Sequence, residues 1–355
     1  MAVSEDIEED KFMHFPKRNF DLITLGQMLL RLSPPGNERL ARSDVFEKNV
    51  GGAELNVAVG AALLGLHTGV ISRLPSHDIG QYMKSTVRSY GVSDDYFIYD
   101  TDPDARVGMY FYEYGAYPRK PQVIYDRRNS SFFSLELEQI DPKVYGDTAC
   151  FHTSGITLAL SEKLRETTIE AIKRFKTCGA LISFDVNYRG NLWSGDLARE
   201  TILKVLPYVD IFFCSESTAR LTFGKEGTPE KMLKEFTEEF PIKAVFATQR
   251  TVHSPKLHSF GSLAYSAEED RYYHEKPYEN IDVVDRIGSG DSYIAGALYG
   301  LISSGGDVEK AVKYGNAVSA MKNTIPGDLP QSTLSEIDAV IEDHYSTGFH
   351  SEMKR

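Results

Sequence analysis

DRIGSGDSYIAGALYG, residues 285–300, puts a small-residue turn and one carboxylate directly ahead of an apolar run. Gly288, Ser289 and Gly290 allow a tight backbone turn, and the run that follows reads as the helix it opens. The first N–H groups of a helix have no partner inside it. They carry the positive end of the helix dipole, which suits a phosphate or a developing oxyanion. Asp291 lies at the edge of that anion hole. A carboxylate there can take a proton from an attacking hydroxyl while the N–H groups hold a transferring phosphoryl group. The helix field favours the ionised form, and a nearby phosphate opposes it. Read alone, the turn fits an ordinary N-cap better than a functional site. It is not a GxxxxGK[ST] loop, and Tyr293 keeps it from being GxGxxG.

Outward from this turn, short apolar strands alternate with amphipathic stretches. Residues 21–25, 69–73, 181–185, 211–214 and 244–247 read as strands. Residues 54–66, 162–176 and 198–205 read as helices. This alternation predicts an α/β fold, with a mostly parallel central sheet covered by helices on both faces. Two segments break the rhythm. Residues 106–114 (RVGMYFYEY) and 122–125 (QVIY) are aromatic and β-rich with no helix between them, and residues 31–49 are irregular. Together they predict a small antiparallel β lid drawn from about 31–49 and 104–128, or an ordinary surface hairpin.

Composition narrows the function classes. The 355 residues are 41% hydrophobic and 25% charged, as in a globular protein with a substantial core. A net charge of −12 argues against broad binding to nucleic acid or to an anionic membrane. No apolar run reaches the roughly 18 residues that a membrane span needs. Residues 1–19 are acidic and lack an apolar signal core, so they read as a flexible extension. Cys150, Cys178 and Cys214 show no zinc or CxxC spacing and read as reduced, buried thiols of a cytoplasmic protein.

The 285–296 segment resembles the C-terminal signature of the ribokinase-like (PfkB-type) carbohydrate kinases, D-x-x-G-A-G-D. Their N-terminal signature has a counterpart in Gly51-Gly52-Ala53-Glu54-Leu55-Asn56-Val57-Ala58. The resemblance runs over about residues 20–343, leaving 344–355 as a tail. Within the family the chain is most similar to the 2-keto-3-deoxygluconate kinases (2-dehydro-3-deoxygluconokinases). The segments that carry this likeness are 28–34 (MLLRLSP), 123–127 (VIYDR), 184–189 (FDVNYR) with Leu192-Trp193, and 324–328 (TIPGD).

The resemblance implies a ribokinase-like three-layer α/β/α sandwich. It also implies ATP-dependent phosphorylation of the C6 hydroxyl of 2-dehydro-3-deoxy-D-gluconate. In that reading Asp291 is the base, and the backbone of Gly288, Ser289 and Gly290 is the anion hole. Gly51 and Gly52 let the sugar approach the backbone, and Asn56 bonds a sugar hydroxyl. Tyr110, Tyr125 and Arg127 grip the sugar acid from the lid, and Arg189 lies between sugar and phosphates. Arginine offers a planar fork for a carboxylate or phosphate, and tyrosine a rigid body with a polar tip. Asn187, Thr248, Arg250, Gly288, Gly290 and Asn316 fall on the nucleotide side. On residue type alone, lid packing for the tyrosines, a solvated surface for the arginines and for Asn56, and helix packing for Asn316 stay open.

The chain departs from the family in two places. Ser215 and Thr218 stand where many members carry N-x-x-E, which implies no protein-ligated metal, with Mg2+ arriving on the nucleotide. Residues 248–254 (TQRTVHS) replace a glycine-rich turn at the nucleotide. Two other functions therefore stay open: a neutral-sugar kinase of the same family, and a catalytically weak sugar-binding protein. The expected partners are the sugar acid, ATP and a second copy of the chain, paired through the lid as a homodimer.

Overall fold

The computed structural model describes residues 13–346. Thirteen strands form among these residues: β1 (Phe20–Leu25), β2 (Leu29–Ser33), β3 (Glu47–Gly51), β4 (Thr68–Pro75), β5 (Phe97–Asp100), β6 (Gly108–Glu113), β7 (Gln122–Asp126), β8 (Thr148–Ser154), β9 (Leu181–Asp185), β10 (Ile211–Phe213), β11 (Ala244–Ser254), β12 (Leu257–Ser266) and β13 (Arg271–Asp282). The α-helices are α1 (Ala53–Leu63), α2 (Asp78–Ser89), α3 (Lys143–Asp147), α4 (Gly155–Ala159), α5 (Glu162–Thr177), α6 (Gly195–Val205), α7 (Glu216–Phe223), α8 (Pro229–Glu239), α9 (Ser289–Ser304), α10 (Val308–Asn323) and α11 (Leu334–Tyr345).

Nine strands make the main sheet, in the order β13-β12-β11-β10-β9-β8-β1-β4-β5. From β11 to β5 every neighbouring pair is parallel, and β12 and β13 extend it antiparallel. Successive strand residues face opposite sides, and here both sides are apolar. Leu22, Cys150, Leu181, Ile211 and Ala244 pack with α9 and α10. Their neighbours Ile23, Phe151, Ile182, Phe212 and Val245 pack with α5, α6 and α8. Such continuous apolar strands are what a doubly covered parallel sheet requires. The result is the three-layer α/β sandwich expected from the sequence.

The lid is a separate four-stranded sheet in the order β3-β2-β6-β7. The expectation of an antiparallel lid needs correction, because its central pair, β2 and β6, runs parallel. The chain passes through α1, β4, α2 and β5 between these two strands, and a long crossover of that kind can return a strand in the same direction. The outer pairs are antiparallel.

Residues 1–12 and 347–355 lie outside the described residues, and with them most of the expected N-terminal extension and C-terminal tail. Met13 is buried and packs with Phe15 on the α9–α10 side of the sheet, so this part of the extension belongs to the folded body. His344, in the last turn of α11, stacks on Tyr278 with ring centroids 3.8 Å apart. Cys150 and Cys214 are buried, but Cys178 is exposed, against expectation. It caps the C-terminus of α5, where the chain turns outward at Gly179. Among the described residues no helix is long and apolar enough to cross a membrane.

Candidate active site

The 285–291 turn sits where β13 ends and α9 begins. Gly288 is the N-cap of α9, with φ 82°. A β-carbon there would stand 2.0 Å from the Asp328 carbonyl oxygen, so both conformation and space demand glycine. The N–H of Ser289 donates to Arg286 O at 3.2 Å, and Ser319 Oγ donates to Ser289 O at 2.9 Å. Gly288 and Ser289 thus shape the turn. Of the backbone expected to form an anion hole, the Ser289 N–H is thus engaged, while the N–H groups of Gly290 and Asp291 lie in the first turn of α9, where a helix supplies no acceptor. Gly290 is exposed, with open space where its β-carbon would be. It lines a cavity of about 360 Å³ at the C-terminal ends of β9, β10 and β11, together with Asp185, Asn187, Arg189, Ser215, Thr218 and Thr248. Ligands bind open α/β sheets at this edge.

Asp291 receives a 2.7 Å hydrogen bond from Asn56 Nδ2, which joins the first turn of α1 to the first turn of α9. Burial pushes the Asp291 carboxyl up to about 6, while the Asn56 bond and the Arg189 charge pull it down. Desolvation lifts the group above an ordinary carboxylate against the helix field that was expected to favour its ionised form. A carboxylate near 6 is still mostly ionised at neutral pH and is a better proton acceptor than a free one. Asp185, at the end of β9, is lifted further, to about 7, first by burial and then by the Asp291 charge. The sequence reading quoted Asp185 and gave it no role.

The residues expected to hold the acceptor come from the lid and from the 51–56 segment. Arg127 is buried, and its Nε donates to Gln27 Oε1 at 2.8 Å. Gln27 Nε2 in turn donates to Ser130 Oγ at 2.7 Å. The structure records no acceptor for the terminal nitrogens of Arg127 among the described residues. Burial disfavours its charge, with Arg189 adding to that and Glu54 opposing it. Glu54 is itself buried and accepts from Ser154 Oγ at 2.6 Å and Thr157 Oγ1 at 2.8 Å. Its carboxyl is raised by burial. Tyr125 is 45% exposed on the lid edge, with its ring 5.7 Å from that of Tyr110 and under the Arg127 guanidinium at 5.5 Å. Tyr110 is buried and donates its hydroxyl to Asp328, so its polar tip is held by the protein. Gly51 and Gly52 are also tight for internal reasons. Added β-carbons would meet Asp328 Oδ2 at 2.1 Å and Gln27 O at 2.4 Å.

One network was missed altogether. Arg31 of β2 is fully buried, and its Nη1 lies 2.7 Å from Asp285 Oδ2 and 2.9 Å from Asp328 Oδ1. Its Nη2 donates to Tyr114 Oη at 2.8 Å and its Nε to Ser33 Oγ at 2.8 Å. Burial disfavours the charge, yet the two aspartates outweigh it and raise the pKa. The network ties the lid to the first aspartate of the 285–291 turn. Arg31, Asp285 and Asp328 all lay in quoted segments, but nothing local in the sequence pairs residues 297 positions apart.

Two expected nucleotide residues do not reach the cleft. Asn316 is fully buried, and its Nδ2 donates to Lys276 O at 3.5 Å. β13 covers this face of α10, so Asn316 packs the helix against the sheet. Arg250 does not line the 360 Å³ cavity either. It lies out along the β11–β12 hairpin, and its pKa is lowered by burial and by the charge of Arg286. A long hairpin replaces the short glycine turn and carries position 250 away from the sheet edge. Thr248 and Asn187 do reach the cavity. The positive φ of Asn187, 37°, turns the chain after β9 and sends Arg189 toward the same cavity. Ser215 and Thr218 hydrogen-bond each other at 2.8 Å. Among the described residues no group of three or more His, Cys, Asp or Glu could hold a metal ion.

A helix N-terminus, a buried carboxylate and a guanidinium that acts on it gather at the end of a parallel sheet, the kinds of group that transfer to a hydroxyl calls for. Comparison with known proteins gives the class. Residues 19–331 match the model of the pfkB family carbohydrate kinases, and the chain belongs to that family. It is a carbohydrate kinase. It is 35% identical to the 2-dehydro-3-deoxygalactonokinase of Haloferax volcanii over 321 residues, covering 90% of this chain and 96% of that one. It is 27% identical to the 5-dehydro-2-deoxygluconokinase of Bacillus licheniformis, covering 93% and 98%. The crystal structure of the 2-dehydro-3-deoxygluconokinase of Thermotoga maritima superposes with a TM-score of 0.86 at 31% identity, covering 91% and 99%.

Proposed function

We propose that the chain transfers the γ-phosphoryl group of ATP to the C6 hydroxyl of a 2-dehydro-3-deoxy sugar acid, with 2-dehydro-3-deoxy-D-gluconate as substrate. The observation that carries this is a pair of guanidiniums near enough to feel each other's charge, Arg127 and Arg189, the second of which also acts on Asp291. Arg127 is buried on the lid side and Arg189 lines the cavity, and neither forms an ion pair among the described residues. A sugar acid undergoing phosphorylation brings one anion to each, and a neutral sugar leaves the buried one unanswered.

In this reading Arg127 takes the substrate carboxylate, and Asn56 and Tyr125 border the sugar. Asp291 accepts the proton of the terminal hydroxyl. The N–H groups of Gly290 and Asp291, with Arg189, stabilise the charge on the transferred group. Thr248 and Asn187 border the nucleotide. With no metal-holding cluster of side chains among the described residues, Mg2+ would arrive on the nucleotide and would supply charge neutralisation of its phosphates. The lid excludes water from the transfer.

The C4 epimer, 2-dehydro-3-deoxygalactonate, is the second reading, favoured by the 35% identity to the Haloferax volcanii kinase. A comparison of kcat/KM for the two epimers with Arg127→Gln as control tests the proposal. The gluconate epimer is expected to lead, and Arg127→Gln to lose preference for sugar acids over neutral ketoses. Unchanged acid preference in Arg127→Gln would remove the carboxylate role.

We also propose a homodimer formed through the lid. Its support is β7, the edge strand of the lid, where Val123, Ile124 and Tyr125 are 38%, 46% and 45% exposed. An apolar edge of this kind needs cover.

A further inference from the structure

The mechanism above leaves one buried charge unused. Lys322, in the last turn of α10, is 1% exposed. Its Nζ donates to two backbone carbonyls, Asp285 O at 3.2 Å and Ile325 O at 3.1 Å. These carbonyls belong to the two segments that shape the anion hole. The first opens the 285–291 turn. The second opens the 325–328 loop, where the Asp328 carbonyl packs against Gly288 and Gly327 N donates to Asp285 Oδ2 at 3.1 Å. The backbone adds a parallel tie, since the N–H groups of Val284 and Asp285 donate to Asn323 O at 2.8 and 3.1 Å. Burial works against the charge on Lys322, and the carboxylates of Asp285, Asp328 and Asp291 support it against Arg31.

A buried ammonium is costly unless its surroundings repay desolvation. Here the repayment comes from carbonyl oxygens and three carboxylates, a set of ligands that would equally suit a small free cation. A neutral side chain at this position would leave both carbonyls without a donor. The turn and the loop would then be held by the backbone ties and the Gly327–Asp285 bond alone, and the N–H groups of Gly290 and Asp291 would lose their precise aim.

We propose that Lys322 is a positioning residue whose ammonium acts as a built-in cation, clamping the carbonyls of Asp285 and Ile325 so that the anion hole is held in its working geometry. It touches neither the sugar nor the nucleotide and acts through the turn. Because the cation is covalently supplied, turnover does not depend on a monovalent ion from solution. The proposal rests on the anion-hole reading of the 285–291 turn and is independent of which sugar acid is accepted.

The test has two arms, both run with whichever carbohydrate the wild-type protein turns over and at fixed Mg2+. In the first, wild-type turnover is measured in potassium, ammonium, sodium and choline chloride at matched ionic strength. Equal rates are expected. Activation by potassium or ammonium over choline would overturn the proposal, and this arm needs no variant to fold. In the second, Lys322→Ala and Lys322→Met are checked for folding by circular dichroism and then assayed. Misaiming the anion hole is expected to lower kcat on the order of 100-fold with little change in KM for the sugar. Ammonium is expected to restore Lys322→Ala in a saturable way by entering the vacated space, and to leave Lys322→Met, whose stem fills that space, unrestored. Wild-type kcat in folded Lys322→Ala, or a loss that neither ammonium nor potassium reverses, would overturn the proposal. A failed sugar-acid reading shows up separately, as wild-type preference for a neutral sugar.

Discussion

Asn56 Nδ2 donates to Asp291 Oδ2 across 2.7 Å, so the two signature segments of this chain, at opposite ends of the sequence, meet through one hydrogen bond. The bond favours the ionised carboxylate while burial favours the neutral one. A base near 6 results from that balance.

The pH dependence follows from this balance. Asp291 must be ionised to accept a proton, so kcat/KM is expected to rise with pH through about 6 and level off above it. Removing the Asn56 bond takes away support for the charged form, which raises the pKa. Asn56→Ala is therefore expected to shift the acid limb to higher pH. A profile with an unmoved limb would show that the bond does not tune the base.

Replacing the base itself separates chemistry from binding. Asp291→Asn keeps the size of the side chain and cannot take the proton. Turnover is expected to fall on the order of 1,000-fold, within the range of general-base losses, while sugar affinity by calorimetry stays near wild type. Wild-type turnover in this variant would refute the assignment.

Much of this architecture was legible. Residues 181–185 form β9 as read, and the strands at 21–25, 69–73 and 244–247 differ only in length, because apolar runs flanked by turns are local signals. β8 was not read as a strand. Its Thr153 and His152 look polar, and they are buried only because Leu25 O and Ser183 Oγ, far along the chain, satisfy them. The long β12–β13 hairpin was also missed, and with it the burial of Asn316. Gly288 and Asp291 stand out in the sequence as a small-residue turn and a carboxylate ahead of an apolar run, and the family resemblance supplies their expected roles. Asp185, Glu54 and Arg31 owe their roles to long-range contacts that leave no local trace.

Arg31 gives a stability test. Arg31→Met leaves Asp285 and Asp328 buried without their cation, and breaking such a cluster typically costs about 3–5 kcal/mol. Urea unfolding monitored by circular dichroism is expected to show a loss of that size. A loss under about 1 kcal/mol, the level of an exposed pair, would mean that the network does not fasten the lid.

The lid edge gives a test of assembly. Light scattering at micromolar concentration is expected to return a dimer mass for the wild type and a monomer mass for Ile124→Lys, which places a charge on the exposed apolar edge of β7. A monomeric wild type would contradict the proposed pairing.

The most direct test of the central claim is ADP release by the purified protein with Mg-ATP, comparing 2-dehydro-3-deoxygluconate, its galactonate epimer, 5-dehydro-2-deoxygluconate, fructose and ribose. The account expects turnover with 2-dehydro-3-deoxy sugar acids, highest with the gluconate epimer, and little with the neutral sugars. Higher kcat/KM for fructose or ribose than for either sugar acid would contradict it.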